Sequence, residues 1–441
     1  MTGATGCATS DGTAQPARGT VEYMIKIPGL AMTDHSFTVP LDHAEPDGAT
    51  IEVFAREVVA PDRAGEDLPW LLFLQGGPGG KSPRPTGASG WLGHAVRTHR
   101  VLLLDQRGTG RSTPVTATTV RGMAPAALAA YLRHFRADSI VADAELIRAR
   151  LLGGARWETL GQSYGGFITL TYLSQAPQAL RTCYVTGGLP GIDGTADEVY
   201  SRTYPLVAAK NAAYYRRYPD DVAAVRRLAD HLDANDVRLP DGDRLTSRRL
   251  RLLGNAFGMG DGFEKVHWTL EEAWQGDDLA DGFRYEVMAT TGFVDVALFA
   301  LQEFCYGGPG VASRWAAEQA LARYPTFAAD ADPLLFTGEM MYRWMFDDIT
   351  ALRPFAEAAD ALAEFDGWPA LYDPARLAAN EVPVVAAVYF DDMYVAADLQ
   401  VRTAEAVGNT RIWVTNEYEH DGLRVEGRVL ARLMDMAAGR A

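Results

Sequence analysis

Three short stretches of the chain carry residue types that together can cleave an acyl bond. Gly161-Gln162-Ser163-Tyr164-Gly165 is a G-x-S-x-G pentapeptide. A serine on a sharp strand-to-helix turn exposes its hydroxyl, and the flanking glycines give the backbone the room such a turn needs. The helix that follows aims its free N–H groups at developing negative charge. A serine hydroxyl is a weak nucleophile until a base takes its proton. Only His231, His267 and His420 follow Ser163. The first two fall in a helical tract, whereas His420 falls on a loop just after the last strand-like run, which makes it the candidate base. The acid that orients the base belongs after the preceding strand. There Tyr389-Phe390-Asp391-Asp392-Met393-Tyr394-Val395 offers two adjacent carboxylates, Asp392 the first choice and Asp391 the second. The oxyanion of acyl transfer needs two backbone donors. Tyr164, next after the serine, supplies one, and the glycine-rich loop Gln75-Gly76-Gly77-Pro78-Gly79-Gly80 supplies the other at Gly77, to within about one residue. The histidines have no ligand spacing and there is no HExxH, so no metal and no cofactor are needed.

These groups have to be positioned by an ordered set of elements. Ser36 to Val39 and Ile51 to Val59 read as an antiparallel β start. The apolar runs Trp70 to Leu74, Val101 to Leu104 and Trp157 to Leu160 each end in a turn, as strands buried on both faces do. A helix containing Ile140, Ala144, Ile147 and Leu151 supplies the crossover that parallel strands require, and Phe167 to Leu173 reads as a helix after the serine. A further strand is expected from Thr182 to Thr186, closed by Gly187-Gly188-Leu189-Pro190. From Gly191 to Pro374 the pattern is helical with no convincing sheet. Strands resume at Val382 to Phe390 and Arg411 to Thr415, and a closing helix is expected from Leu423 to Met436. The resulting fold class is α/β, a mostly parallel central sheet flanked by helices and carrying a large inserted helical cap. Its divisions are a mobile tail over 1–20, a first core part over 21–190, the cap over 191–374 and a second core part over 375–441.

Composition bounds the partners. With 441 residues and 48% hydrophobic content, the chain can bury a large core. A formal net charge of −16 argues against nucleic acid, which demands clustered Lys and Arg. No run of about 18 apolar residues and no signal-peptide pattern occurs, so no membrane association is expected. Cys7, Cys183 and Cys305 are too few and too scattered for a disulfide framework. Reduced thiols in a cytoplasmic protein fit best. Composition leaves the oligomeric state open, a monomer being sufficient.

Leu74-Gln75-Gly76-Gly77-Pro78-Gly79, Asp105-Gln106-Arg107-Gly108-Thr109-Gly110-Arg111-Ser112 and Gly161-Gln162-Ser163-Tyr164-Gly165-Gly166 together resemble the proline iminopeptidases, specifically their longer bacterial form. Phe336-Thr337-Gly338-Glu339-Met340-Met341-Tyr342, Trp344-Met345-Phe346 and Asp392-Met393-Tyr394-Val395 are similar to segments of that form. Gln75 is a departure, since shorter members have His there, but it leaves the backbone donors intact. The resemblance implies the α/β-hydrolase fold and a serine aminopeptidase that releases N-terminal proline from a small peptide or prolyl amide through an acyl-enzyme. It also implies acidic cap residues, Glu303 and Glu339, that hold the substrate's free amino terminus. Phe304, Tyr306, Tyr342 and Trp344 become candidates for the apolar slot around a pyrrolidine ring. Asp105 and Arg107 are expected to support the turn beside the catalytic loop.

Two other functions compete. One is an esterase or amidase on the same scaffold acting on a different small molecule, such as one of secondary metabolism. The other is a binding protein that has kept the scaffold without catalysis, which the intact Ser, Asp and His candidates oppose.

Overall fold

The computed structural model describes residues 24–441; the tail expected over 1–20, with Cys7, lies outside the described residues. Nine strands form one sheet: β1 (Met24–Ile27), β2 (Leu30–Pro40), β3 (Thr50–Val59), β4 (Trp70–Leu74), β5 (Arg100–Leu104), β6 (Trp157–Gln162), β7 (Leu180–Thr186), β8 (Val384–Tyr389) and β9 (Thr410–Thr415). Their spatial order is β1-β2-β3-β5-β4-β6-β7-β8-β9. The pairs from β5 to β9 are parallel, and those involving β1, β2 and β3 are antiparallel.

The continuous apolar runs have a physical reason. Leu72, Leu74, Leu102 and Leu104 pack into the core on one face, while Leu71, Phe73, Val101 and Leu103 pack on the other. Consecutive side chains point to opposite faces, so Trp70–Leu74 and residues 101–104, covered on both sides, show no polar alternation, whereas β6 buries Glu158, Thr159 and Gln162 as well. Truncating any of these leucines to Ala costs about 2–5 kcal/mol. The first face is covered by α1 (Ala137–Leu152), the crossover from β5 to β6, and by α2 (Tyr164–Gln175). The other is covered in part by the C-terminal helix, through Leu430 and Leu433.

Between β7 and β8 the chain builds no strand of the main sheet. It forms α3 (Ala196–Arg217), α4 (Asp221–Ala234), α5 (Gly262–Glu271), the short α6 (Ala316–Leu321) and further turns, with one hairpin pairing Trp274–Gln275 and Asp278–Leu279. This segment touches the loops at the carboxyl ends of the strands: the Gly258 carbonyl accepts from the His420 amide at 3.1 Å, and a Cβ on Gly79 would stand 2.9 Å from Leu298 Cβ. After β8 comes α7 (Ala397–Ala406), and after β9 comes α8 (Arg428–Ala437).

Two elements differ from the sequence expectation. The single closing helix over 423–436 is broken: Gly422–Val425 ends at an extended Glu426 before α8 begins. A Cβ on Gly427 would fall 2.8 Å from the Gly90 carbonyl, so the break lets the chain approach the neighbouring backbone. β1 also extends the sheet before the expected first strand, through the turn at Pro28-Gly29, where Gly29 has φ 78°. The Pro-Gly pair between two apolar runs is the signal that marks it.

Candidate active site

Ser163 sits between β6 and α2 at φ 55° and ψ −123°, a conformation side chains avoid and that surrounding structure must enforce. Its amide donates to the Thr186 carbonyl at 2.9 Å, and its carbonyl accepts from Gly166 at 2.7 Å. The start of α2 presses on β4 so closely that a Cβ on Gly165 would lie 2.0 Å from the Leu74 carbonyl oxygen. No side chain fits there, which accounts for the last glycine of the pentapeptide.

The glycine-rich loop meets the serine directly, since a Cβ on Gly76 would stand 2.7 Å from Ser163 Cβ. Its position is fixed from β5: the Gln106 side-chain amide donates to the Gln75 carbonyl at 2.8 Å. The fully buried Asp105 accepts from the Ser82 and Arg111 amides at 3.1 and 2.9 Å and pairs with Arg84. Arg107 forks onto both oxygens of the buried Asp143 at 2.6 and 2.7 Å. The Asp105-to-Ser112 stretch is thus a bracket for the loop. Among the described residues, neither the Tyr164 nor the Gly77 amide donates to a protein acceptor, which leaves both N–H groups for an outside oxygen.

Asp392 follows β8 and His420 follows β9. Asp392 Oδ2 lies 2.7 Å from His420 Nδ1, and its Oδ1 accepts from the Tyr394 and Val395 amides at 2.8 and 3.0 Å. Asp391 is exposed; the bond to the imidazole belongs to its neighbour. With Nδ1 donating, Nε2 is left as the acceptor. Burial pulls the imidazole pKa down, but the charge and hydrogen bond of Asp392, together with the charge of Glu339, outweigh it and leave it raised. Ser163 and His420 converge on one dipeptide: a Cβ on Gly187 would stand 3.1 Å from His420 Nδ1, and one on Gly188 3.2 Å from Ser163 Cα. No hydrogen bond joins the two side chains in this structure, and catalytic hydrogen bonds are commonly long in ligand-free enzymes.

The candidates in the helical segment divide. Glu339 is enclosed by protein yet keeps some accessible surface. Burial, above all, pushes its carboxyl up to about 7; His420 draws it down and Asp392 raises it. The nearby Gln302 also lowers it, although Gln302 Nε2 is buried without a hydrogen-bond partner. Glu303 is used differently. Its two oxygens accept from the Ala316 and Ala317 amides at 3.0 and 2.9 Å, capping α6. Burial still raises its pKa more than these donors lower it. Both carboxylates raise the pKa of Tyr200 and of Tyr306, secondary to burial, so they share one neighbourhood.

Tyr306 sets its ring edge-on to Phe167 of α2 at 6.2 Å, beside the serine's helix. The Tyr342 hydroxyl bonds that of Tyr204 at 3.1 Å. Phe304 packs on Trp368 at 6.2 Å, and Trp344 stacks on Tyr342 at 6.0 Å with Arg248 over its face. The structure therefore brings Glu339 within electrostatic reach of His420, sets Tyr306 against the helix that follows the serine, uses Glu303 as a helix cap and engages Phe304 and Trp344 in other packing.

Two contributors escaped the sequence reading. The Tyr394 ring lies 4.8 Å from the His420 ring, edge-on, and its spacing of two from Asp392 was the available signal. Lys210 of α3 holds both oxygens of Glu419 at 2.6 Å. Its partner is 209 residues away, and no local pattern announces it.

A family model described as alpha/beta hydrolase fold matches residues 69–237. The chain is 48% identical over 409 residues to a proline iminopeptidase of Aeromonas sobria, covering 92% of this chain and 96% of that protein. It is 33% identical over 416 residues to a proline iminopeptidase of Aspergillus aculeatus, covering 90% and 92%. A proline iminopeptidase of Neisseria meningitidis matches at 30% identity over 118 residues, 26% of this chain and 32% of that protein. The first two alignments are long enough to take in the helical segment as well as the sheet.

Proposed function

The chain belongs to the proline iminopeptidase family of α/β-hydrolases, and from that membership we propose that it releases N-terminal proline from small peptides through an acyl-enzyme on Ser163. His420 takes the hydroxyl proton as the oxygen attacks the prolyl carbonyl, and later gives it to the departing amine. Asp392 fixes the imidazole with Nδ1 donating and stabilises its cation. The N–H groups of Tyr164 and Gly77 hold the oxyanion of the tetrahedral intermediate. Water, activated by the same imidazole, then releases proline. Glu339 receives the substrate's secondary ammonium: a buried carboxyl without backbone donors is poorly satisfied alone and well satisfied by a cation. Glu303 adds negative potential from behind. Among the described residues no helix is long and apolar enough to cross a membrane; the proposed setting, the cytoplasm, rests on the sparse and scattered cysteines of the sequence.

One observation carries this reading. Identity of 48% runs over 92% of the chain and so includes the segment that bears Glu339, whereas the sheet's loops alone serve many chemistries. Steady-state assays test it: proline β-naphthylamide should be cleaved with kcat/KM far above that for p-nitrophenyl acetate. Efficient ester cleavage without release of proline would favour an esterase instead.

A further inference from the structure

A groove of about 340 Å³ opens on the surface of the helical segment. Val296 and Phe299 line it over the buried Met340, Met341 and Met345, beside the polar Asn255 and Thr290, and Val294, 68% exposed, stands with Asp295 at its mouth. Its inner border meets the candidate active site in three independent places. Gly338 and Met340 line it, and they flank Glu339. Asn255 lines it, and its carbonyl accepts the hydroxyl of Tyr394, whose ring lies against His420. Phe299 lines it, and its amide nitrogen would be 3.1 Å from a Cβ on Gly79 of the oxyanion loop.

From this placement we infer that the groove receives the residue following the N-terminal proline, and that it selects substrates whose second side chain is large and apolar. The inference rests on the aminopeptidase reading above. Glu339 retains the amine of the first residue, and the imidazole delivers its proton to the nitrogen of the second. The leaving portion therefore departs on the side of His420, where Tyr394 and Asn255 connect the imidazole to the groove. Its inner walls are thioether and hydrocarbon, and its mouth carries the exposed carboxylate of Asp295. Methionines repack around varied apolar shapes, whereas a second carboxylate would be desolvated there and repelled by Asp295. The open mouth lets a longer peptide continue outward.

The test is a panel of dipeptides on the unaltered enzyme: Pro-Gly, Pro-Leu, Pro-Phe, Pro-Asp and Pro-Lys. The kcat/KM of Pro-Leu and Pro-Phe should exceed that of Pro-Asp by about tenfold or more, the scale on which apolar pockets discriminate, with Pro-Lys between them because Asp295 can meet its ammonium. Val296→Trp, which fills the groove, should lower the ratio of Pro-Phe to Pro-Gly by a similar factor. Equal kcat/KM across the panel would overturn the groove assignment and leave the aminopeptidase reading standing. Failure to release proline from any of the five would instead defeat that reading. A preference for Pro-Phe that survives Val296→Trp would place the selection elsewhere and overturn the assignment as well.

Discussion

The loops at the carboxyl ends of the sheet and the helical segment facing them treat their carboxylates in opposite ways. Asp392 is fully buried and receives three donors, two of them backbone N–H groups. Glu339 is enclosed as well, yet its hydrogen bonds include none from the backbone and its carboxyl is pushed up to about 7, mainly by burial. A carboxylate with three fixed donors is satisfied and held in one place. One left unsatisfied stores a cost that a cationic ligand can relieve, as functional groups often do at some expense to stability. Glu303, with its two amide donors, belongs with Asp392 in kind although it lies in the same segment as Glu339.

The contrast can be broken most sharply in the sheet loops. Ser163→Ala and Asp392→Asn should each reduce kcat on proline β-naphthylamide by about 10⁴-fold or more, as loss of a nucleophile or of the imidazole's orienting acid does elsewhere. A residual rate within tenfold of the parent for either variant would mean that the chemistry resides elsewhere.

Next in size is Glu339→Gln. It should raise KM for free prolyl amides by about a hundredfold, the scale of losing one partner of a desolvated charge pair, while sparing neutral esters. Because the Glu339 charge raises the His420 pKa, the acid limb of kcat/KM on a neutral ester should move to lower pH in this variant. An unmoved limb would separate the two groups. Stability gives the complementary sign. A carboxyl raised from 4.5 to about 7 by folding favours the folded state at low pH, and that contribution is lost as pH rises from about 4.5 through about 7. The ligand-free Gln variant should therefore melt higher than the parent at pH 8, with the difference disappearing below pH 4.5.

Smaller effects sharpen the comparison. Glu303→Ala leaves two amides of α6 without their acceptor and should cost about 1–3 kcal/mol of stability, read as a lower Tm, with KM changed less than tenfold. A hundredfold rise in KM would make Glu303 a direct partner of the amine. Lys210→Met should lower kcat by about tenfold or less with little change in KM, because Glu419 precedes His420 in the chain, and Lys210→Arg should restore most of it.

The same contrast explains what the sequence discloses. The sheet is legible where a strand covered on both faces is apolar throughout, as Trp70–Leu74 is, and less so at β6, which buries Glu158 and Thr159 as well. Ser163 and Asp392 stand out as candidates because each follows a strand buried along its length, β6 and β8, whereas His420 follows the partly exposed β9 and is picked out by chain order. The helical segment has no comparable rule. Glu303 and Glu339 are indistinguishable in sequence, and only the fold reveals that one caps a helix. Lys210 and Glu419 meet through tertiary packing alone, and the break at Gly427 answers to a backbone it approaches from far along the chain.

The account centres on a peptidase that recognises a charged first amine, and one ratio measures that directly: kcat/KM for proline β-naphthylamide over that for its N-acetylated form at pH 8. Acetylation removes the cation while leaving the ring and the scissile amide in place, so the ratio should be about 100 or more. Equal efficiency on the two substrates would contradict the role given to Glu339 and with it the assignment of an aminopeptidase.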